Sequence, residues 1–387
     1  MASHKNMKSR KKNQQTKMIF IIDSIRIGGI ERLCFDECYE LIDRKIDHEI
    51  LCLTNSVIPE GSILAIDKSY SKINKINLTF LGNKRSVQVI KLARILLQNT
   101  GKHIKIISHS TRGSVIARIS TAIIFKKVHI TLFIHQLISL SDTKQKIKRM
   151  IHSLFADNIT TSSFQFKLAW EENINNNFLY RIIFQKKIEF NRMGVYLPRL
   201  KNSVKNEIQE CSQVVIHLLF MSRITSWKGF PIFNNVCKLM EPIGIHSMVI
   251  SNENSRKNIF EIESYHNEKN HYVPNNGIAN IKFTSKVVHL YPTNYGPGTL
   301  HPQSIGMNVI ECLAVGIPSL ISFDEFETWP EFRTNSLIRI VDWENEADIL
   351  NNLQYLMELD HKIIMKNSLI LEDVINIKKH VDQILDY

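Results

Sequence analysis

The chain has 387 residues, of which 44% are hydrophobic and 22% charged, and its formal net charge is +12. That composition supports two domains of ordinary size with ample core, and it excludes a low-complexity or disordered chain. No window reaches the ~18 uncharged apolar residues of a membrane-spanning helix, and the surplus of Lys and Arg predicts anionic partners: nucleic acid, anionic lipid or nucleoside diphosphates.

The basic, polar segment 1–17 lacks the apolar run and cleavage site of a secretory signal and is expected to be a disordered tail. Six cysteines, at 34, 38, 52, 211, 237 and 312, fall inside apolar strands or helices. Cys34 and Cys38 are one helical turn apart, with no CxxC and no clustered His beside them. They read as core thiols in a reduced, cytoplasmic setting, with no metal implied.

Met18–Asp23 (MIFIID) is a buried-type strand, and Gly28-Gly29 leads from it into a helix with Ile30, Leu33, Cys34, Leu41 and Ile42 on its apolar side. Strand, Gly-Gly, helix is either a cradle for a phosphate or sugar, since glycine lets backbone come close, or a tight turn. Arg26, Glu31 and Arg32 flank it. Further strands are expected at Glu49–Leu53, at Ile104–Ile107 before His109, and at Val128–Ile134 before His135, with a helix at 113–125. In a parallel sheet, ligands bind beyond the carboxyl ends of strands, so Gly28, His109 and His135 fall on one edge. Thr143–Phe155 reads as a basic amphipathic helix with Ile147, Met150, Ile151 and Leu154 on one side. It is either a solvated face or a surface for anionic lipid. Short strands are expected at Asn158–Ser162 and Lys187–Phe190.

The polar stretch Leu200–Gln213 separates two apolar halves and is the expected linker. The domains are thus 18–205 and 206–365, followed by a C-terminal helix, 366–387, the last part of a helix read over Asp360–Leu385. Val214–Met221 starts a second α/β pattern, with Arg223 and Lys228 in the loop after it and a helix from about Pro231 to Met240. Two cations there would neutralise a diphosphate. Strands follow at Ser247–Ile250, Val287–Tyr291, Ser319–Ile321 and Leu337–Val341, and a helix at Glu346–Met357. Between Tyr291 and Ser319 lie a Gly/Pro-rich loop and a helix from about Ile305 to Val315. Its start near Gly306, Met307 and Asn308 offers unpaired N–H groups to a phosphate. Glu311, further along, either accepts hydroxyl hydrogens from a ribose or faces water.

These residues resemble the retaining family-4 glycosyltransferases of GT-B fold. Gly28-Gly29-Ile30-Glu31-Arg32 is similar to the family's N-terminal glycine loop. Phe220-Met-Ser-Arg223 with Lys228-Gly229-Phe230 is similar to its "GR…KG" phosphate loop. The run from Gln303 through Ser304, Gly306 and Glu311 to Gly316-Ile-Pro318 resembles its "E-x-F-G…EA-x-A-x-G-x-P" signature. The resemblance implies an α/β fold of two Rossmann-like doubly wound domains facing a cleft, with the C-terminal helix packing back toward the N-terminal domain. It implies a UDP-, GDP- or ADP-sugar donor and no other cofactor. Arg223 and Lys228 would hold the diphosphate, with His135 near the transferred sugar. Gly28, Gly29, Gln303, Ser304, Gly306, Met307, Asn308 and Glu311 would line the donor. No Asp-x-Asp motif occurs, and no metal is implied.

Two departures stand out. Gln303 replaces the first acid of the family's Glu–seven–Glu pair, where the carboxylate contacts the donor sugar; an amide both donates and accepts, so altered sugar choice is expected. Asn191-Arg-Met-Gly194-Val195 only partly matches the family's "NGV" before the linker. The expected activity is sugar transfer to a cell-surface glycan or lipid-linked acceptor, such as O-antigen, lipopolysaccharide or capsule. The expected place is the inner membrane face, through 143–155. The alternatives are a catalytically inactive sugar-nucleotide-binding partner subunit, motivated by Gln303, and a nucleic-acid binder, which charge alone suggests and no aromatic-interleaved basic motif supports.

Overall fold

Runs of β-branched and aromatic residues form two wholly parallel sheets, each covered by helices. The computed structural model describes residues 15–25, 28–54, 71–135, 143–175, 181, 188–203, 216–222, 224, 228–251, 270–274, 286–293, 305–322 and 326–386. The first sheet comprises β1 (Thr16–Ile22), β2 (Asp47–Cys52), β3 (Leu78–Phe80), β4 (His103–Ser108), β5 (His129–Ile134), β6 (Asn158–Thr161) and β7 (Ile188–Phe190), in the order β3-β2-β1-β4-β5-β6-β7. Between its strands run α1 (Gly29–Asp43), α2 (Arg85–Gln98), α3 (Thr111–Ile123), α4 (Thr143–Ser153) and α5 (Phe164–Asn175). A short helix, α6 (Leu197–Ser203), leaves this domain.

The second sheet has β8 (Ile216–Met221), β9 (His246–Ser251), β10 (Asn270–Pro274), β11 (Lys286–Tyr291), β12 (Ser319–Ile321) and β13 (Ile338–Ile340), ordered β10-β9-β8-β11-β12-β13. Its helices are α7 (Phe230–Met240), α8 (Met307–Ala314) and α9 (Glu346–Glu358). Two more, α10 (His361–Ile375) and α11 (Ile377–Asp386), end the chain. Most expected elements recur with ends moved by one or two residues. β3, β10, α2, α5 and α6 were not anticipated: the strands are short, and α6 lies partly in the polar stretch read as linker. Residues 1–14 of the expected tail, 204–213 of the expected linker and 214–215 of the expected strand after it lie outside the described residues, while Leu200 and Arg199 of α6 are buried.

A parallel strand is buried on both faces and so reads as a continuous apolar run. On β1, Met18, Phe20 and Ile22 pack with α1 in the core that continues into the second domain, and Ile19 and Ile21 pack with Leu92 and Ile116 of α2 and α3. Strand order reverses between β1 and β4, and again between β8 and β11. Such reversals part the loops beyond the carboxyl ends and leave a crevice.

The helix expected over Asp360–Leu385 is two helices. At Asn376 the backbone is extended, with φ −68° and ψ 131°. The cause lies far away in sequence: Val195 N–H donates to Ile375 C=O at 2.8 Å, and Ile377 N–H donates to Val195 C=O at 3.0 Å. A Cβ on Gly194 would lie 2.7 Å from Ile377 Cα, so glycine permits this approach. The break lets α11 turn onto the first domain. There Arg44 meets Asp382 at 2.5 Å, and Lys105 donates to Leu385 C=O.

His289 of β11 is fully buried. Its Nδ1 lies 3.2 Å from Ser319 Oγ, and its Nε2 has no hydrogen-bond partner among the described residues. Burial holds its pKa down at about 3, against an ordinary 6.5. The folded state refuses a proton that the unfolded state accepts, so stability is present above about 6.5 and drains as pH falls toward 3. We expect His289→Leu to flatten the fall in unfolding free energy between pH 7 and 5, the two proteins diverging by about 2 kcal/mol at pH 5. Parallel denaturation curves at both pH values would refute this.

Candidate functional site

The two crevices face each other. At the first, α1 begins at Gly28, whose backbone is extended and supplies no side-chain cap. A Cβ on Gly28 would run into the Glu31 carboxylate, and one on Gly29 would sit 3.4 Å from Met307 Cγ. The glycine loop of the first domain therefore lies against the first turn of α8 in the second. There Gly306 is the N-cap, again extended and without a side-chain cap. A Cβ on it would lie 3.2 Å from the Tyr291 hydroxyl at the end of β11. Asn308 Nδ2 donates to Met221 C=O at 2.7 Å and ties the start of α8 to the end of β8.

The loop after β8 meets the same place. Lys228 Nζ stands 5.7 Å from the centre of the Tyr291 ring. Gly229 follows with φ +76°, a left-handed conformation, and a Cβ there would collide with the Pro292 carbonyl. Lys228, Tyr291, Gly306, Met307, Asn308, Gly28 and Gly29 thus converge. Arg223, Gln303 and Ser304 lie outside the described residues.

Glu311 is only 1% exposed and does not face water. Arg32 donates to its Oε2 at 2.5 Å, and Arg199 to its Oε1 at 2.9 Å. Arg199 also grips Asp36 of α1 through two hydrogen bonds, at 2.9 and 3.1 Å. A chain of alternating charge, Arg32–Glu311–Arg199–Asp36, therefore crosses between the domains.

His109 and His135 end adjacent parallel strands, as expected, and their Nδ1 and Nε2 lie 2.8 Å apart. His109 Nε2 meets Glu37 Oε2 at 3.0 Å, and His380 Nε2 of α11 meets Glu37 Oε1 at 2.6 Å. Burial alone would raise the Glu37 carboxyl, but His109 and His380 outweigh it and hold the pKa at about 2. Burial, with His109 alongside, pushes His135 well down, so it is neutral. Cys34, Glu37 and His109 bring potential ligand atoms within 4.8 Å of one another. Burial pushes the Cys34 thiol well up, and both Glu37 oxygens already accept from histidines, so the trio is a hydrogen-bonded core cluster.

Sequence reading missed Asp36, Glu37, Arg199 and His380. A signal existed for Glu37: it lies one turn from Leu33, Cys34 and Leu41, on the apolar side of α1. Removing Arg199 would leave Asp36 and Glu311 short of a partner in a region where Arg199 itself is 3% exposed. We expect Arg199→Ala to lower unfolding free energy by about 3–5 kcal/mol, as for other broken buried ion pairs. A loss within ~1 kcal/mol, typical of exposed pairs, would show the cluster to be effectively solvated.

No family model matches the sequence, and no curated protein sequence matches it. Solved structures do. HepE of Anabaena, in complex with UDP, superposes with a TM-score of 0.68 at 13% identity, over 96% of this chain and 98% of that one. A glycosyltransferase from Rickettsia africae gives 0.66 at 13% identity, over 96% and 97%. The catalytic domain of starch synthase IV from Arabidopsis thaliana, bound to ADP and acarbose, gives 0.68 at 10% identity, over 97% and 98%. Two doubly wound parallel domains, a crevice at each reversal of strand order and a last helix returned to the first domain make this a protein of the GT-B fold.

Proposed function

We propose that the chain is a retaining glycosyltransferase of the family-4 type, moving a hexose from a nucleoside-diphosphate sugar. The observation that carries this reading is the convergence of Lys228, Tyr291 and the uncapped start of α8 with the Gly28-Gly29 loop of the other domain. An ammonium and free helix N–H groups stabilise a diphosphate, and paired glycines give the sugar close access. HepE has been solved with UDP and with UDP-glucose, which supports a UDP-sugar donor.

The donor bond from the anomeric carbon to the diphosphate oxygen breaks as Lys228 and Arg223 take up the charge on the leaving group. The acceptor hydroxyl attacks from the same face and forms the new bond at that carbon. Its proton passes to the leaving phosphate oxygen, so configuration is retained without a carboxylate base, and the cations and helix start serve without a metal. Closure of the domains excludes water.

The acceptor in this reading is a cell-surface glycan or its lipid-linked precursor, met at the cytoplasmic face of the membrane. Among the described residues no helix is long and apolar enough to cross a membrane. α4 supports surface contact instead: Met150 is buried while Ile147 and Ile151 are 42% and 50% exposed beside exposed Lys148. A second reading, a sugar-nucleotide binder without turnover, is motivated by Gln303, an amide where the resemblance expects a carboxylate on the donor sugar.

UDP at 100 times its Kd should stabilise the fold by about 2.7 kcal/mol, seen as a raised Tm. Lys228→Ala should lower UDP-glucose turnover by about 10²-fold. Stabilisation without turnover would favour the binder, and neither effect would sink both readings. Ile147→Asp with Ile151→Asp should abolish sedimentation with anionic vesicles, whereas equal sedimentation of variant and wild type would remove α4 from the membrane reading.

A further inference from the structure

One long stretch of the chain is free of acids. No Asp or Glu lies between Asp67 and Asp142, although 37 of the 387 residues are acidic, and the same span carries thirteen Lys and Arg. It includes α2 and α3, which cover the face of the first sheet opposite α1. The core beneath them belongs to the first domain alone, whereas the core on the α1 side continues into the second. Polar contacts seam α2, α3 and α4 into one layer. Ser120 donates to Val89 C=O at 3.1 Å, and Arg112 to Gln88 at 2.9 Å. On the other side Ser114 donates to His152 C=O at 3.2 Å, and Arg118 to Phe155 C=O at 3.0 Å.

The outer surface of this layer mixes apolar tips with cations. Ile90 and Leu97 of α2 and Ile119 and Ile123 of α3 are exposed, as are the two isoleucines of α4. Arg85 and Arg94 of α2, Lys127 just past α3 and Lys148 of α4 are exposed too, and none has a hydrogen-bond or ion-pair partner among the described residues. Burial, with Lys148 and Arg85 alongside, pushes the His152 pKa down, so cations of α2 and α4 share one neighbourhood. Asp157, at the margin of the layer, is held by Arg118 at 2.6 Å. At one end stands Phe125, 96% exposed. It takes φ +51° in the turn that ends α3, where Phe125 N–H donates to Ala122 C=O and Lys126 N–H to Thr121 C=O. Lys126 Nζ donates to the Leu96 and Asn99 carbonyls, which sets this turn beside Leu97. A left-handed position at a helix end favours glycine. A phenylalanine there gains the fold neither burial nor backbone ease, so its ring serves something outside the fold.

We propose that the outer surface of α2, α3 and α4 is one docking face for an anionic phospholipid bilayer, with Phe125 and the exposed isoleucines entering the acyl boundary and the unpaired cations meeting headgroup phosphates. This deepens the membrane contact read at α4 and rests on it, and it needs no sugar transfer. Charge and shape select the occupant. Two copies of the chain meeting face to face would set cation against cation. A nucleic acid would use the cations but leave the aliphatic tips in water, and a single exposed aromatic gives its bases no stacking platform. An anionic bilayer uses both kinds of group at once, because apolar tips sink to the acyl boundary while Lys and Arg stay at the headgroups.

The test is sedimentation of the full chain with vesicles of mixed phosphatidylglycerol and phosphatidylcholine, against phosphatidylcholine alone, at low and high salt. Binding should need phosphatidylglycerol and fall as salt rises. Ile90→Glu with Ile123→Glu leaves α4 intact and should weaken partition by about tenfold or more. Ile243→Glu with Leu369→Glu makes the same charge change at exposed sites elsewhere in the chain and should leave partition unchanged. Phe125→Gly should weaken partition while holding or raising the melting point, since glycine eases the left-handed turn. A purely structural Phe125 would do the reverse, lowering the melting point and leaving partition alone. Equal partition of Ile90→Glu/Ile123→Glu and wild type would overturn the proposal, and loss in the α4 variant alone would then confine the contact to α4. Equal binding to phosphatidylcholine alone would overturn it as well. So would self-association or duplex binding that occurs without lipid and is lost in Ile90→Glu/Ile123→Glu, which would give the face to a second copy or to nucleic acid. If the wild-type chain does not sediment at all, the membrane reading falls together with this face, and stabilisation by UDP still judges the transferase reading.

Discussion

The structure hinges on two adjacent acids, Asp36 and Glu37, in the middle of α1, both with no exposed surface. Ionised carboxylates in an apolar interior are tolerated only when each is paired and hydrogen-bonded. Their partners come from other parts of the chain. Arg199 arrives from α6 for Asp36, His109 from the end of β4 for Glu37, and His380 from α11 for Glu37 as well. Meeting the needs of one helix thus fixes where three distant segments must end.

Neighbouring helical residues point about 100° apart, because an α-helix has 3.6 residues per turn. Asp36 and Glu37 use that angle to serve different structures. Asp36 turns toward Arg199 and, through it, to Glu311 of the second domain. Glu37 turns toward the histidines of the first sheet and the last helix. The start of the same helix carries Gly28 and Gly29, which lie against α8 across the cleft. Domain geometry and the mouth of the candidate site are therefore set by one rigid element.

Much of this was open to a reader of the sequence. Parallel strands announce themselves as apolar runs, and Ser319–Ile321 was read with its observed ends. The glycines at 28, 29, 229 and 306 mark places where backbone must come close to something. His109 and His135 could be put on one edge from strand ends alone. What stayed hidden was long-range pairing. Nothing around Glu311 announces that arginines 279 and 112 residues earlier will hold it. The break at Asn376 is equally unreadable from Asp360–Leu385, because Val195 imposes it by taking over the hydrogen bonds of Ile375 and Ile377. The stripe of α4 was legible as amphipathic, but which of its apolar residues would be covered depended on neighbours: Met150 is, and Ile147 and Ile151 are not.

The charge count at the cleft sharpens how a diphosphate would be held. Arg32 and Arg199 stand against Glu311 and Asp36, two positive and two negative. These paired sets are neutral, so the +12 of the chain does not by itself make the cleft positive. The arginines nearest α8 are committed to carboxylates, and an anion that drew one away would strand a buried acid. In the proposed site the diphosphate therefore depends on charge outside these sets, on Lys228 and Arg223 and on the N–H groups at the start of α8. Glu311 keeps a different use. Each carboxylate oxygen offers two lone pairs, and each has one described arginine donor. In the proposed site the remaining positions, fixed in direction by the arginines, would meet ribose hydroxyls.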